Sequence, residues 1–286
     1  MSTIDDIIRR ALDEDAPWGD LTSEVFLPAD ARATAALVAR EPGVFSGATV
    51  FARVFELVDP ATRVEVIVGD GERFDAGTVL ARVDGSARAV LRAERIALNL
   101  TQRMSGIATL TARYVEAAAG AGARIVDTRK TTPGLRILER QAVRDGGGHN
   151  HRFSLSDAVL AKDNHLAVLA AAGVPIGDAI RAARERIGHT THLEVEVDRL
   201  DQVEPVVAAG VDTIMLDNFT PDQLRDGVAL VAGRALVEAS GGVSLDTVAA
   251  IAATGVDVIS VGALTHSPRA LDLGLDIDVR QGEVRA

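Results

Sequence analysis

After Ser105 the chain alternates short apolar runs with amphipathic stretches, and this alternation restricts the possible fold more than any other feature of the sequence. The runs at Arg124 to Thr128, His192 to Val197, Thr213 to Leu216, Ala235 to Ala239 and Val256 to Val261 read as strands. Helical spacing occupies Asp178 to Arg186, Leu200 to Ala209, Pro221 to Ala232 and Leu245 to Thr254. Repeated βα units with apolar strands require a parallel sheet covered by helices; a closed or nearly closed barrel is the expected form and an open doubly wound sheet the alternative. Each strand ends in a polar or small residue: Asp127, Glu196 or Asp198, Asp217, Glu238 with Ser240, and Gly262. In a parallel barrel the carboxyl ends of the strands share one mouth, so these residues are expected to converge.

The first third has a different texture. Ile4, Ile7, Ile8 and Leu12 fall on one face of a short helix that stops before Pro17 and Gly19. From Ala31 to Val83 the runs ATAALVAR, RVEVIV and TVLARV are separated by Gly-rich and Asp-rich turns, with a helical patch around Val50 to Leu57, which predicts a small sheet-based domain. The segment GDGERFDAGTVLARVDG resembles the hammerhead of lipoyl and biotinyl carrier domains, but no lysine precedes Lys130 to carry a swinging arm. A long helix is expected from Ala87 to Leu110, bearing Arg88, Arg92, Arg95 and Arg103.

Charge is distributed unevenly. The chain carries a formal net charge of -11, yet Arg124 to Lys162 holds eight Lys/Arg against four Asp/Glu. Both lysines of the protein, Lys130 and Lys162, lie there, together with His149 and His151, and His165 follows just after. A compact ammonium grips a single anionic oxygen as a point charge, a task for which the planar guanidinium is less suited. A basic stretch inside an acidic chain, with 3% aromatic residues, points to a small polyanion and away from nucleic acid. Zero cysteines exclude disulfides and thiolate metal sites, and the lack of a long uncharged apolar run predicts a cytoplasmic protein without membrane spans.

At the predicted mouth, EASGGVS and VGALTHS place Gly241, Gly242 and Gly262 after the last two strands, where backbone amides form the usual phosphate cup of a barrel; Ser244 is expected to open the helix that follows. Glu194, Glu196 and Asp198 alternate with aliphatic residues and share a strand face. Glu196 and Asp217 suit a hydrated Mg²⁺, which takes one or two carboxylates together with substrate phosphates; salt bridges to Arg129, Lys130 or Lys162 are the structural alternative. His266 is either a ligand or a helix-end cap. Arg129, Lys130, His151, Arg152 and Lys162 complete a site suited to two multiply anionic reactants.

The motifs AERIALNLTQRMSGIAT, DTRKTTPGLR, GGGHNHR, KDNH, EVEVD, MLDN, EASGG and VGALTHS, in this order and preceded by EDAPWGDLTS, resemble the quinolinate phosphoribosyltransferases over nearly the full chain. The resemblance implies an N-terminal α/β sandwich-like domain over residues 1–105, including the linking helix. An incomplete (β/α) barrel over 106–286 follows, the type II phosphoribosyltransferase fold, working as a homodimer. It implies transfer of a phosphoribosyl group from 5-phosphoribosyl 1-diphosphate to quinolinate with Mg²⁺, giving nicotinate mononucleotide, pyrophosphate and carbon dioxide. Residue by residue it implies that Arg95 reaches a partner's site, and that Thr128, Arg129, Lys130, His151, Arg152 and Lys162 bind quinolinate and diphosphate. Glu196 and Asp217 would lie near metal and ribose, with Ser240, Gly241, Gly242, Gly262, Ala263 and His266 around the 5-phosphate. Lys130, Glu196 and Asp217 are the expected catalytic residues. Gln141 stands where the resemblance leads one to expect an aromatic, and Ala161 where isoleucine is usual. Three competing readings are a phosphoribosyltransferase with another acceptor, of the kind associated with molybdenum transport, a Schiff-base aldolase using Lys130 or Lys162, and a non-catalytic binding barrel.

Overall fold

The structure is a computed structural model that describes residues 3–280. The chain divides into two compact units, Met1–Ala112 with Thr131–Gly147 and Ser267–Ala286, and Arg113–Lys130 with Gly148–His266. The first unit is thus assembled from three stretches of the chain.

In the first unit, helix α1 (Ile4–Asp15) begins with a capping box: the Thr3 hydroxyl accepts from the Asp6 amide and the Asp6 carboxylate accepts from the Thr3 amide. The helix buries Ile7, Ile8 and Leu12, the stripe read from the sequence. Helix α2 (Leu21–Phe26) follows, then β1 (Arg32–Ala39), β2 (Gly43–Val44), α3 (Ala48–Val58), β3 (Arg63–Val66), β4 (Arg73–Phe74) and β5 (Val79–Ser86). Strand β1 buries Ala33, Ala35, Leu37 and Ala39 on one face. Thr34, Ala36, Arg82 and Asp84 line the open face of the sheet, the alternation of a half-covered antiparallel sheet. α3 packs against α1 and β3 and buries Phe51 and Phe55, whose rings meet edge to face at 5.0 Å. The Asp70 carboxylate accepts from the Gly47 and Ala48 amides at the start of α3, at 2.7 and 2.8 Å, and Gln141 donates to its other oxygen at 3.3 Å. A glutamine at 141 thus has a polar task that an aromatic ring there could not perform.

Helix α4 (Ala87–Ala117) runs beyond the expected end at Leu110, and α5 (Arg136–Asp145) contributes fully buried Glu139. That carboxylate accepts from Arg103 at 2.8 and 3.1 Å and from the Thr132 amide at 3.1 Å, which satisfies a charge that burial alone would make costly. The last strand, β12 (Leu273–Arg280), had no counterpart in the sequence reading. It pairs antiparallel with β1 and completes the order β12-β1-β5-β3.

The second unit is a six-stranded sheet whose registered pairs are all parallel, in the order β6-β11-β10-β9-β8-β7. Its strands are β6 (Arg124–Val126), β7 (Val159–Ala161), β8 (Leu193–Val197), β9 (Thr213–Asp217), β10 (Leu236–Ser240) and β11 (Val258–Ser260). The intervening helices are α6 (Asp163–Ala171), α7 (Ile176–Arg186), α8 (Val203–Val207), α9 (Pro221–Val231), α10 (Val248–Ala252) and the short α11 (Ala263–His266). Strand β7 and helix α6 were absent from the sequence reading. The helix expected at Leu200 to Ala209 is a 3₁₀ turn, Leu200–Gln202, followed by α8. α10 begins at Val248, so Ser244 does not open it; Ser244 sits in the preceding turn, its amide bound to the Thr247 hydroxyl at 2.9 Å. Fully buried Val195, Ile214, Leu216 and Ile259 fill the core of this unit. The sheet is an incomplete barrel: β6 and β7 are its two ends, and beyond β6 only His149 adds a single parallel bridge to Val126.

Gly106 in α4 lies so close to the chain at Arg269 that an added Cβ would stand 2.1 Å from that residue's carbonyl oxygen. Gly106→Ala is expected to cost about 1–3 kcal/mol through forced backbone displacement, read as a lowered denaturant midpoint with native-like circular dichroism.

Candidate active site

The site grows out of the way the barrel gap is bridged. The His149 amide donates to the Ile125 carbonyl at 2.8 Å, and the Asp127 amide donates to the His149 carbonyl at 3.1 Å, so GGGHNHR is strapped along the free edge of β6. Asp127, fully buried just past β6, then accepts from the His151 amide and from the Asn150 side chain, each at 2.7 Å. One buried carboxylate therefore sets the direction in which His151 and Arg152 leave the strap.

Thr128, Arg129, Lys130, His151, Arg152, Leu160, Lys162, Glu196, Met215, Asp217, Glu238, Ser240 and Ser260 line a cavity of about 400 Å³ within the second unit. The expected convergence of strand ends holds for Glu196, Asp217, Glu238 and Ser240, whereas Asp127 is buried and, like Gly262, does not line the cavity; Thr128 to Lys130 after β6 and Lys162 after β7 do. Glu196 and Asp217 also line an adjoining cavity of about 560 Å³ that reaches Asp198, Arg199 and Asn218. Of the remaining expected residues, Gly241, Gly242, Gly262, Ala263 and His266 follow β10 and β11, and Arg95 is exposed on α4 in the first unit.

The cations are held in different ways. Lys162 makes an ion pair with Glu196, whose side chain is only 11% exposed. Arg129 keeps its Nε buried without a hydrogen-bond partner. Arg152 donates to the Ala158 carbonyl at 3.0 Å, while burial and the charge of Arg129 both act against its own charge. The charges of Glu194 and Asp157 act in its favour, and a guanidinium stays charged at any ordinary pH. Lys130 is exposed; its carbonyl accepts from buried Thr265 at 2.9 Å, which ties the end of the DTRK loop to α11.

His151 does not behave as a fifth free cation. Its Nε2 faces Glu194 at 3.2 Å and Glu238 at 3.5 Å. Burial, the largest influence, opposes charge on the ring, while the hydrogen bonds and charges of the two glutamates favour it. A second ring proton would sit on Nδ1, and that nitrogen accepts from the Arg152 amide at 2.7 Å. The geometry is therefore that of the neutral Nε2–H tautomer, which the short amide contact holds against the pull of the carboxylates. Burial, reinforced by the charge of Glu238, pushes the Glu194 carboxyl up, while His151 opposes the rise.

Around the expected phosphate cup the glycines are needed for space. Gly241 has φ +84, and a Cβ there would stand 2.2 Å from Asn218 Oδ1. Asn218, itself at φ 60, donates through its backbone to the Ser240 carbonyl at 2.8 Å and through its side chain to Asp217 at 2.6 Å. It links the rim carboxylate to the glycine turn. A Cβ on Gly262 would press on both Lys130 and His266, at 3.1 and 3.2 Å, so this glycine lets those two side chains approach each other. Exposed His266 is the last residue of α11.

Asn150 and Asn218 were not singled out by sequence reasoning, which placed Asp127 and Glu238 at strand ends and Glu194 on the acid face of its strand without assigning them a task. The buried acids did carry a signal: Leu-Glu-Val-Glu-Val puts its acids on one face, and a parallel strand covered on both faces buries them.

Parallel strands that gather arginines, lysines and carboxylates around one cavity define a polyanion-binding α/β-barrel protein. The model of the quinolinate phosphoribosyl transferase N-terminal domain matches residues 20–105, and that of the C-terminal domain matches residues 107–276; the chain belongs to this family. It is similar to the nicotinate-nucleotide pyrophosphorylase (carboxylating) of Mycobacterium leprae, 46% identical over 278 residues that span 95% of this chain and 96% of the relative. It is also similar to the probable enzyme of that name from Bacillus subtilis, 42% identical across 95% and 92% of the two chains. The solved structure of NadC from Streptococcus pyogenes has a TM-score of 0.92 and 41% identity, with 97% of each chain covered.

Gly241→Ala is expected to displace the turn against Asn218. Titration calorimetry with 5-phosphoribosyl 1-diphosphate should show affinity reduced by about tenfold, or ~1.4 kcal/mol; unchanged affinity would remove this turn from the phosphate cup.

Proposed function

We propose that the protein transfers the 5-phosphoribosyl group of 5-phosphoribosyl 1-diphosphate to quinolinate, with decarboxylation, giving nicotinate mononucleotide, pyrophosphate and carbon dioxide in NAD biosynthesis. The observation that carries this reading is Arg129, whose buried Nε has no hydrogen-bond partner, in a cavity that also presents Lys130, Arg152 and Lys162. Two aromatic carboxylates would supply the missing acceptors. Membership of the family and the names of its relatives support the same reaction.

In this reading Thr128, Arg129, Lys130, His151 and Arg152 form the wall that receives quinolinate, with Lys162 towards the diphosphate. Ser240, Gly241, Gly242, Gly262, Ala263 and His266 receive the 5-phosphate. The pyridine nitrogen forms a bond to ribose C1 as the C1–oxygen bond breaks and its electron pair leaves with pyrophosphate. Loss of the adjacent carboxylate as carbon dioxide then leaves an electron pair on the ring carbon, stabilised by the quaternary nitrogen, and a proton takes its place. The arginines and Lys130 act mainly by holding the reactants in register, and the cations around the leaving diphosphate favour its growing charge. Glu196 and Asp217 favour positive charge developing on the ribose. Lys162 is committed to an ion pair with Glu196, which does not favour the Schiff-base reading.

The same two carboxylates fit Mg²⁺: they stand at the ends of neighbouring strands and both line the two adjoining cavities. Bound there, the cation would offset diphosphate charge. Homodimerisation, with Arg95 lent to a partner's site, draws support from apolar surfaces that a monomer leaves wet. Trp18 is 95% exposed and Phe26 79%, beside exposed Leu21 and Val25, and α6 buries none of its residues. Among the described residues no single helix is long and apolar enough to cross a membrane, which agrees with the cytoplasmic placement proposed here.

Incubation with quinolinate, 5-phosphoribosyl 1-diphosphate and Mg²⁺ is expected to release carbon dioxide and form the mononucleotide, while nicotinate should not serve as acceptor. Arg152→Ala should abolish quinolinate use, by at least ~100-fold in kcat/KM, with its fold retained; wild-type turnover in a folded variant would refute the assignment. Chelation of Mg²⁺ should stop turnover, and Glu196→Gln with Asp217→Asn should raise the Mg²⁺ concentration for half activity by about tenfold; an unchanged requirement would move the metal elsewhere.

A further inference from the structure

One layer beneath the cavity rim, the barrel buries a cluster that the proposed reaction does not use. Glu194 lies two residues before Glu196 on β8, and Glu238 two before Ser240 on β10, so both share the inward face of their strands with a rim residue. Each is 3% exposed. Their Oε2 atoms face His151 Nε2, and each carboxylate keeps its Oε1 buried without a hydrogen-bond partner. Burying two such groups side by side lowers stability, and apolar residues of the same volume would serve a core better. The arrangement therefore calls for a local function.

Three donor atoms with spacings of 3.2 and 3.5 Å would suit a small cation as well as a proton, and His151, Glu194 and Glu238 are close enough to form a metal site. The ring's other nitrogen decides between them. A metal on Nε2 would require a hydrogen on Nδ1, as metal-binding histidines donate from their second nitrogen. Here Nδ1 accepts from the Arg152 amide, so the hydrogen belongs on Nε2 and the carboxylates are its acceptors.

We propose that Glu194 and Glu238 are positioning residues for the carboxylate-binding wall. By accepting the Nε2–H of His151 from below they turn its Nδ1 to the Arg152 amide, and so fix the peptide from which the Arg152 guanidinium enters the cavity. The peptide is then held at three points: the His151 amide on Asp127, the Arg152 amide on Nδ1, and the Arg152 side chain on the Ala158 carbonyl. The inference rests on the reading that Arg152 receives a carboxylate of quinolinate, and it identifies what aims that arginine. Acceptor geometry, and not negative charge, is the property required.

The paired variants Glu194→Gln/Glu238→Gln and Glu194→Met/Glu238→Met separate these properties, because glutamine keeps an acceptor and methionine keeps only the volume. Steady-state kinetics should show the methionine pair raising the KM for quinolinate by about tenfold or more, with kcat and the KM for 5-phosphoribosyl 1-diphosphate within about threefold of wild type. The glutamine pair should stay within about threefold in all three constants. Equal losses in both pairs would overturn the proposal in favour of charge, and a methionine pair with wild-type constants would overturn it altogether. Should a pair fail to fold, two measurements on the wild-type protein still decide. Nitrogen-15 NMR, assigned with His151→Asn, should report a neutral Nε2–H ring, and an imidazolium or an Nδ1–H tautomer would be incompatible with the lock. Equilibration with Zn²⁺ or Mn²⁺ should leave that signal unmoved; a tightly held equivalent that displaces the Nε2 proton would make the cluster a metal site. Absence of wild-type turnover with quinolinate would defeat the reading of the reaction and leave the tautomer result standing.

Discussion

The second unit is organised around the problem of keeping like charges together. Arg129, Lys130, Arg152 and Lys162 open onto one cavity, the charge of Arg129 acts against that of Arg152, and Arg129 Nε is buried without a hydrogen-bond partner. The protein tolerates this because neutralising charge is placed underneath and beside the cations. Glu196 pairs with Lys162 at the rim, and Asp127 anchors the strap that carries His151 and Arg152. The remaining positive potential is what a multiply charged anion would neutralise, and for an overall acidic chain it is necessarily local.

The incomplete barrel is the means by which this placement is achieved. Parallel strands deliver their carboxyl ends to one mouth, which brings residues from β6 to β11 around the same space. A closed barrel would have regular hydrogen bonding where His149 makes its single bridge, and the chain after Gly148 would run as another strand. Because the gap is spanned by one residue only, the following Asn150, His151 and Arg152 are free to turn inward across the end of β6 and take direction from Asp127. The gap therefore shapes the wall of the cavity to which His151 and Arg152 belong.

Much of this arrangement was legible in the order of the residues. The apolar runs at β8, β9 and β10 were placed within a residue of their observed bounds, since five-residue buried strands have a pattern no exposed loop mimics. The local basic excess identified the residues that line the cavity. Other elements left no trace. Strand β7 is three residues long, and α6 is apolar around its circumference and buries none of it, so neither has a period to detect. β12 reads as an acidic tail until its partner β1, more than two hundred residues away in the chain, is known.

What the sequence determined by itself was the inventory: alternating βα units, two lysines set among arginines, glycines after two strands, and acids at their ends. These follow from local chemistry, because strand periodicity, charge and backbone freedom are properties of neighbouring residues. Tertiary structure decided the partnerships. That His151 would be gripped from below by glutamates of β8 and β10, that Asn218 would require glycine at 241, and that Lys162 would take Glu196 depended on the registry of parallel strands and on distances no linear spacing encodes. The physical reason is that ion pairs and hydrogen bonds are selected within a few ångströms in space, after packing has chosen which strand ends are neighbours.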